Sequence, residues 1–387
     1  MKILIIGGSG ILSSSVVDCC ISNGHEVTIM NRGNNLEFTN DKARLIVCDA
    51  RKPESVKKRL NELHFDAVID FIVYQKEQLE LSLSLFGKTA DQYVFISSAQ
   101  VYNTSISKKL EETDDTPQPL WSYSINKNIC EHYLIDYCLK NRINYTIVRP
   151  GVNYDNRRIP YGMYPPIGMH WTIVERIKAG KPIITWNKGE NRLNLTRVED
   201  FAKGLVGLLG NQKAYNETFN VVGDYVYRWK DVLDTLGMIL CIQVKTIDLE
   251  VDDYASELQG DDKEMLLGGR ACDLCCSNEK LKAVVSGFES KFDLESGMRK
   301  TIKWYKENGY YKGIDYAWDA EQDRIIHKFT KGYNGRFIGY EKKRWVELFM
   351  DRCNWNVVYY RDFKVLKTFW KTARKFIAKP IYRQLNK

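Results

Sequence analysis

Short apolar runs alternate with amphipathic helical segments along the first half of the chain. The runs are five to seven residues long and rich in Ile, Val and Phe, which is typical of strands that are buried on both faces. Because helical patterns separate most of them, the alternation predicts a parallel sheet that is covered by helices on both sides. The predicted strands are residues 2–6, 26–30, 44–48, 66–72, 93–97 and 144–148.

A glycine-rich turn follows the first strand and opens the first predicted helix. Its sequence is GGSGILSSS, with Gly7 and Gly10 at the turn. Glycine allows a tight backbone and the close approach of a pyrophosphate, which the helix N-terminus stabilises. Ser13 replaces the third glycine of such motifs, and its small side chain is compatible with close packing of helix on strand. The turn therefore predicts a dinucleotide site.

The second strand ends in Asn31-Arg32-Gly33. NAD-binding sheets usually carry Asp or Glu at this point, to accept hydrogen bonds from the ribose 2′-hydroxyl. No carboxylate is present here, and Arg32 can pair with a 2′-phosphate instead. The segment therefore favours NADP over NAD. The alternative that Arg32 is an ordinary solvated loop residue stays open.

A Tyr and a Lys lie four residues apart in WSYSINKN, at Tyr123 and Lys127. This spacing puts both on one face of a helix, although any amphipathic helix can show the same pattern. The fifth predicted strand ends at Ser97-Ser98, and Ser98 precedes Tyr123 by 25 residues. Open parallel sheets bind ligands at that carboxyl edge, so the sequence predicts that the three side chains share a site.

Together these segments resemble the extended short-chain dehydrogenase/reductase superfamily, in particular its NAD(P)-dependent epimerase/dehydratase group. The resemblance covers roughly residues 1–310, and its specificity comes from the order and spacing of several motifs. It implies an α/β fold with a Rossmann-type doubly wound parallel sheet and a smaller α/β substrate domain. The motifs are GGSGILS, SSAQVY, Tyr-x-x-x-Lys, IVRPGVNYD, TRVEDFAKGL, FNVVGD, GGRACDLCCSNEKLK and DLESGMRKTIKWY.

The resemblance also implies how the chain is divided. Residues 1–150 and 191–223 are expected to form the NAD(P)-binding domain, and residues 151–190 and 224–310 the substrate-binding domain. Residues 311–387 have no counterpart at the family's usual length. We therefore expect them to form a basic, aromatic C-terminal extension.

By the same resemblance, a Ser-Tyr-Lys set manages the proton during hydride exchange between a sugar carbinol and nicotinamide. Free tyrosine has a pKa of about 10, and a neighbouring cation lowers that pKa by favouring the phenolate. Tyr123 is expected to be the acid/base, Lys127 to lower its pKa and hold the nicotinamide ribose, and Ser98 to orient the reacting oxygen. The expected cofactor-binding residues are Gly7, Gly10, Ile11, Leu12, Asn31, Arg32, Asp49, Tyr123, Lys127 and Pro150.

The resemblance implies that two arginines clamp the diphosphate of a nucleotide sugar, a role to which a planar guanidinium is suited. Arg270 fits the family position in GGRACD, whereas Arg192 lies one residue out of register. A plain surface role stays open for both. Ser98 and Asn153 complete the expected substrate-binding residues.

Dehydratases of this group follow the catalytic Ser or Thr with an acidic pair. This chain has Ala99 and Gln100 there, and neither transfers a proton in that way. The substitution disfavours 4,6-dehydration, and the resemblance then implies a nucleotide-sugar epimerase/oxidoreductase that acts on precursors of surface polysaccharides. A nucleotide-sugar 4-ketoreductase is the first alternative. A non-enzymatic scaffold that binds RNA or senses the cofactor is the second.

Composition indicates a compartment. No apolar run among the 387 residues approaches the roughly 20 residues that span a bilayer, and the first residues do not form a signal peptide. We expect a cytoplasmic protein whose ten cysteines are reduced. Cys272 and Cys275 have C-x-x-C spacing, but no second ligand pair lies nearby in the sequence, so no metal is expected.

The net charge of +8 comes from the C-terminal region. Residues 311–387 contain 18 basic and 8 acidic side chains, against 39 and 41 in the rest of the chain. Within it, residues 361–379 show apolar side chains at helical spacing among Lys and Arg. Such a helix can lie on the inner face of an anionic membrane or pack on its own domain or a second subunit. The expected partner is a nucleotide sugar. A homodimer and a contact with the membrane surface both stay open, and nucleic acid is a weaker alternative.

Overall fold

The computed structural model describes residues 1–34, 36–60, 63–104, 109–117 and 119–333. The strands are β1 (Lys2–Ile6), β2 (Glu26–Asn31), β3 (Arg44–Val47), β4 (Phe65–Asp70), β5 (Ala90–Ile96), β6 (Tyr145–Pro150), β7 (Val152–Tyr154), β8 (Ile183–Trp186), β9 (Arg192–Arg197), β10 (Glu217–Val221), β11 (Val226–Arg228) and β12 (Thr246–Leu249). The α-helices are α1 (Ile11–Ser22), α2 (Pro53–Leu60), α3 (Lys76–Phe86), α4 (Ser122–Asn141), α5 (Trp171–Lys178), α6 (Val198–Val206), α7 (Trp229–Leu240), α8 (Val251–Glu257), α9 (Asp261–Met265), α10 (Glu279–Val284), α11 (Leu294–Glu307) and α12 (Tyr316–Phe329).

Seven parallel strands form the main sheet, in the order β10-β6-β5-β4-β1-β2-β3. The chain runs outward from β1 to β3 on one side and from β4 to β6 on the other. Its direction reverses between β1 and β4, and a ligand crevice is expected outside the carboxyl ends of these two strands. All six predicted strands lie in this sheet, so the Rossmann-type parallel fold is confirmed.

The two faces of the sheet bury alternate side chains of each strand, as the period of two requires. On β1, Ile3 and Ile5 pack in one core with Val16 of α1, and Leu4 and Ile6 belong to the core on the opposite face. All four β1 side chains are completely buried. Burial on both faces explains why the strands are continuous apolar runs rather than alternating ones.

Apart from the two faces of the main sheet, a separate group of buried side chains, called the second core below, packs around two smaller sheets. β7 and β11 flank β9, and β8 pairs with β12 in parallel. Trp171, Trp186 and Trp229 are almost fully buried there. β9 thus pairs within this smaller sheet, although its residues were assigned from the sequence to the dinucleotide domain. The following segments do reach that domain, because α6 packs on α1 and β10 pairs with β6.

α12 joins the first part of the C-terminal extension to this second core. Arg176 contacts Asp319 at 2.8 Å and Asp323 at 2.8 Å, while Lys181 contacts Asp319 at 2.7 Å. The side chains of Arg176 and Asp319 are fully buried, so each charge requires the other. The amphipathic helix predicted at 361–379 lies outside the described residues. No helix in the described ranges is long and apolar enough to cross a bilayer.

Candidate dinucleotide and substrate site

A cleft of about 690 Å³ opens at the carboxyl ends of the central strands. Its walls come from the glycine-rich turn, the ends of β2, β5 and β6, and the first turns of α4. Arg192 and Arg270 are absent from its lining. The sequence-predicted residues that line it are Gly7, Gly10, Ile11, Leu12, Asn31, Arg32, Asp49, Ser98, Tyr123, Lys127, Pro150 and Asn153.

The glycine-rich turn has the backbone that a close-approaching phosphate requires. Gly7 and Gly8 have φ values of +117° and +76°, which disfavour any residue with a Cβ. A Cβ on Gly8 would also clash with Ile29. Ser13 is buried, and its hydroxyl accepts a hydrogen bond from the Gly10 N–H at 2.9 Å. The serine in the third glycine's place therefore stabilises the start of α1, and the turn fits a dinucleotide pyrophosphate.

The end of β2 carries a cation instead of an acid. The Asn31 side chain accepts from the Gly33 N–H at 2.8 Å, which leaves Arg32 exposed on the wall of the cleft. Asp49 is the neighbouring acid, and Arg51 Nε donates to it at 3.1 Å. The Arg51 guanidinium, and more weakly that of Arg32, lowers the pKa of Asp49. Arg51 also lines the cleft. Sequence reasoning missed it, and its position two residues after Asp49 was the available signal.

Ser98 and Tyr123 meet at the other end of the cleft. Both side chains line the cleft, and Ser98 Oγ accepts from the Gln100 N–H at 3.2 Å. Burial raises the pKa of Tyr123, and the nearby Tyr74 adds to this, while the Ser98 hydroxyl and the Arg270 guanidinium lower it. The strongest cationic effect on Tyr123 thus comes from Arg270, whereas the sequence analysis expected it from Lys127.

The start of α4 is fixed by an acid from α9. A Glu264 carboxylate oxygen accepts from the Ser122 N–H at 2.8 Å and from the Ser122 hydroxyl at 2.5 Å. A carboxylate at this position satisfies an N–H that the helix leaves unpaired and complements the helix dipole. The contact holds the turn that carries Tyr123 against the second core.

Lys127 is buried beneath Tyr123. Its Nζ donates to the carbonyl oxygens of Val73 at 2.6 Å and Ile96 at 2.7 Å, and lies 4.5 Å from the centroid of the Tyr74 ring. Burial lowers the pKa of Lys127 to about 8, because a dry site disfavours the ammonium form. Lys127 therefore stays mainly charged at neutral pH and connects α4 to the end of β5.

The two predicted phosphate-binding arginines have different surroundings. Arg270 is 5% exposed and donates to the Gly162 carbonyl at 3.2 Å. Its guanidinium carbon lies 5.9 Å from the centroid of the Trp121 ring, and no carboxylate in the described ranges pairs with it. Arg192 is half exposed and pairs with Asp273 at 2.8 Å, away from the cleft. The structure thus places Arg270, but not Arg192, near Tyr123.

Cys272 and Cys275 are free thiols. Over the part of the chain that the structure describes, no group of three or more His, Cys, Asp or Glu residues is placed to hold a metal ion. Burial raises the pKa of both thiols, which disfavours the thiolate that a metal needs.

Comparisons with known proteins agree with this fold. The model of the NAD dependent epimerase/dehydratase family matches residues 3–222. A chloroplast stem-loop binding protein of 41 kDa from Arabidopsis thaliana is 28% identical over 344 residues, which cover 84% of each chain. A dTDP-glucose 4,6-dehydratase of Escherichia coli is 23% identical over 354 residues, 80% of this chain and 93% of that one. The crystal structure of UDP-glucose 4-epimerase from Thermotoga maritima with UDP-glucose has a TM-score of 0.65 and 20% identity. It covers 80% of this chain and 99% of the other.

Proposed function

The chain belongs to the NAD-dependent epimerase/dehydratase family, and on that premise we propose that it is a nucleotide-sugar epimerase. The observation that carries the proposal is that Ser98, Tyr123 and Lys127 line the same cleft as the glycine-rich turn. A sugar hydroxyl placed between Ser98 and Tyr123 would meet the proton-transfer group and the nicotinamide site together. The T. maritima neighbour, which contains UDP-glucose, supports a nucleotide sugar as substrate.

The proposed chemistry divides the work among three side chains. Tyr123 takes the proton of the sugar hydroxyl while the carbinol carbon is oxidised, and gives it back when the ketone is reduced on its other face. Burial disfavours the phenolate that this needs, and the positive charge of an oxidised nicotinamide bound beside it would favour that form again. Ser98 donates to the reacting oxygen and orients it. Lys127 holds the strand ends and supplies positive charge. A bound nicotinamide dinucleotide, held by the turn from Gly7 to Leu12, would supply reversible redox chemistry.

The absence of an acidic pair after Ser98 supports epimerisation over 4,6-dehydration. Ala99 and Gln100 are both buried, and Gln100 Oε1 is without a hydrogen-bond partner. An amide and a methyl group cannot act as acid and base for loss of a hydroxyl. The dehydratase relative in E. coli shows that the fold also serves that reaction, so the argument depends on these two side chains alone.

The family is NAD dependent by description, and our finer proposal is a preference for NADP. Its support is Arg32 at the end of β2 and Arg51 in the segment after β3, both in the wall of the cleft, where the neighbouring carboxylate of Asp49 is paired with Arg51. Two cations suit a 2′-phosphate.

A product assay tests the main proposal. The full chain is incubated with UDP-, dTDP-, CDP- and GDP-sugars, and the products are followed by NMR. Inversion at one carbon without net consumption of cofactor is the expected result. Consumption of one cofactor per sugar would identify the 4-ketoreductase alternative, and no turnover of any sugar would contradict an enzymatic role.

RNA binding is the second candidate, and one observation favours it. The Arabidopsis relative, which is similar over 84% of both chains, is named as a stem-loop binding protein. Filter binding with an RNA stem-loop, in parallel with the product assay, separates the two candidates. Stem-loop binding without sugar turnover would favour the scaffold, whereas turnover that Tyr123→Phe removes supports the enzyme.

A further inference from the structure

Arg158 lies in the wall of the cleft, beside the catalytic side chains, in the loop after β7. It lines the same cleft as Ser98 and Tyr123. Its Nη1 donates to the Asn153 carbonyl at 3.2 Å, and its guanidinium carbon lies 4.3 Å from the centroid of the Tyr164 ring. These two contacts hold the planar group in one orientation. The Nε atom is buried and has no acceptor.

The neighbouring arginine shows what Arg158 lacks. Arg157 Nε donates to Asp155 at 2.6 Å, and both side chains are about nine-tenths buried. No carboxylate from the described ranges pairs with Arg158. The edge formed by its Nε and Nη2 atoms is therefore left for a ligand. In Arg149 the same edge is occupied by Glu131, at 3.0 Å and 2.6 Å.

Arg158 also adds to a local excess of positive charge. The guanidinium of Arg158 stacks on the Tyr164 ring, Arg270 lies close enough for the charge of Arg158 to affect it, and neither guanidinium pairs with a carboxylate in the described ranges. Burial lowers the pKa of Arg270, and the charge of Arg158 lowers it further. Buried like charges are costly unless an anion compensates them. The diphosphate of a nucleotide sugar would compensate the buried Arg270, and the open edge of Arg158 would be left for a second anion.

We propose that Arg158 binds a carboxylate on the sugar of the substrate, so that the substrate class is a nucleotide-linked acidic sugar. The inference rests on the proposed function and makes it more specific. A carboxylate has two oxygens at the spacing of the Nε and Nη2 hydrogens and accepts both in parallel. Asn153 supports the same subsite, because its buried Oδ1 has no partner and can accept from a sugar hydroxyl.

Binding of matched sugar pairs tests this inference. UDP-glucuronate and UDP-glucose differ only at carbon 6, as do GDP-mannuronate and GDP-mannose. Each is titrated by calorimetry into the full chain saturated with dinucleotide. We expect the acidic member of at least one pair to bind about 10-fold or more tightly than the neutral member, because a bidentate bond to a charged group is strong.

Variants then assign the preference to Arg158. Arg158→Gln should weaken binding of the acidic sugar of the pair about 10-fold or more, and should change the affinity for the neutral sugar by less than about twofold. Arg158→Lys keeps the charge without the two-hydrogen edge and should restore only part of the preference. Arg299→Gln, at an exposed arginine of α11 that pairs with Glu295, is the matched control and should leave both affinities unchanged.

The outcomes separate this inference from the proposed function. If Arg158→Gln loses affinity for the acidic and the neutral sugar equally, Arg158 binds the diphosphate. If the wild type binds the two sugars of each pair with equal affinity, the natural sugar is neutral. Either result overturns the inference and leaves a nucleotide-sugar enzyme in place. If no member of either pair binds, the inference fails, and the dTDP- and CDP-sugars of the product assay then decide the proposed function. If Arg158→Gln does not fold, the preference of the wild type for the acidic sugar and its reduction in Arg158→Lys still test the inference.

Discussion

The ammonium nitrogen of Lys127 lies 6.0 Å from the ring centroid of Tyr123, on the same face of α4, and its hydrogen bonds go to the carbonyls of Val73 and Ile96. Lys127 therefore attaches the helix to the last residue of β5 and to the loop that follows β4. This attachment brings Tyr123 to Ser98, the second residue after the end of β5. The ammonium group of Lys127 therefore has two roles: it fixes the position of the helix, and it remains close to the phenol of Tyr123.

Tyr123→Phe should remove turnover and leave dinucleotide binding nearly unchanged. The change deletes only the hydroxyl that exchanges a proton, and a positioned group of this kind contributes about 100-fold or more. Turnover by NMR and dinucleotide affinity by calorimetry measure the two effects. Tyr133→Phe, at a half-buried tyrosine of the same helix, is the control. Near-normal turnover in Tyr123→Phe would show that another group carries the proton.

Lys127 should make the protein more stable as the pH rises from about 8 to 10. Its pKa falls from 10.5 in the unfolded chain to about 8 in the fold. Between these values the unfolded chain binds more protons than the native one, so the free energy of unfolding increases with pH. The gain is at most about 1.4 kcal/mol per pH unit. It is present above the unfolded pKa and lost as the pH falls towards 8.

Urea unfolding of the wild type and Lys127→Met at pH 8, 9 and 10 measures this effect. The difference between the two proteins cancels the titration of other groups. The wild type should gain stability relative to the variant with rising pH. Parallel curves would mean that Lys127 titrates normally in the fold.

Arg32→Ala should abolish a preference for NADP. The guanidinium is expected to make charge-assisted hydrogen bonds with the 2′-phosphate, which are worth roughly a 10-fold change in affinity or more. Calorimetry with NADP and NAD on the wild type and the variant tests both parts. The affinity for NAD should stay within about twofold, since NAD lacks that phosphate. Tighter binding of NAD by the wild type would refute the argument from Arg32.

Asp319→Ala should lower the free energy of unfolding by roughly 3–5 kcal/mol, because it leaves the buried Arg176 and Lys181 with too few carboxylates. Chemical denaturation measures the loss. Glu295→Ala breaks an exposed pair with Arg299 and should cost under about 1 kcal/mol. A loss in Asp319→Ala as small as that of the control would show that the cluster is not coupled to folding.

The basic segment at the C-terminus should give weak, salt-sensitive membrane binding. Each basic residue near an anionic surface contributes about 1 kcal/mol, and salt screens the attraction. Sedimentation with anionic and neutral liposomes at low and high salt compares the full chain with a deletion of residues 361–387. No binding to anionic liposomes at low salt, or equal binding after the deletion, contradicts the prediction. A deletion that instead dissociates a dimer supports the packing alternative.

The central sheet and most of the cleft could be predicted from the sequence, because their signals are local. The strands are continuous apolar runs, the turn needs Gly7, and Tyr123 and Lys127 are one helical turn apart. Arg158 could not be predicted in this way. Its neighbour Arg157 has the same chemistry, and only the folded loop decides which of them receives Asp155.

Long-range pairing explains the remaining differences. Arg192 appeared as a phosphate ligand, and its carboxylate partner Asp273 lies 81 residues away in the chain. The sequence also predicts a lowered pKa for Tyr123, and this prediction leaves out the burial of the side chain. That burial depends on the whole second core. Neither effect has a signature within a short window of sequence.

The charge cluster of α12 sets a limit on how the gene can be shortened. A stop codon after residue 310, at the family's usual length, would delete Asp319 and Asp323 and leave Arg176 and Lys181 inside the second core without counter-ions. A stop codon after Tyr333, whose hydroxyl donates to Asp323 at 2.8 Å, would keep the cluster whole. Expression of the two truncations should therefore give an insoluble and a soluble product, respectively.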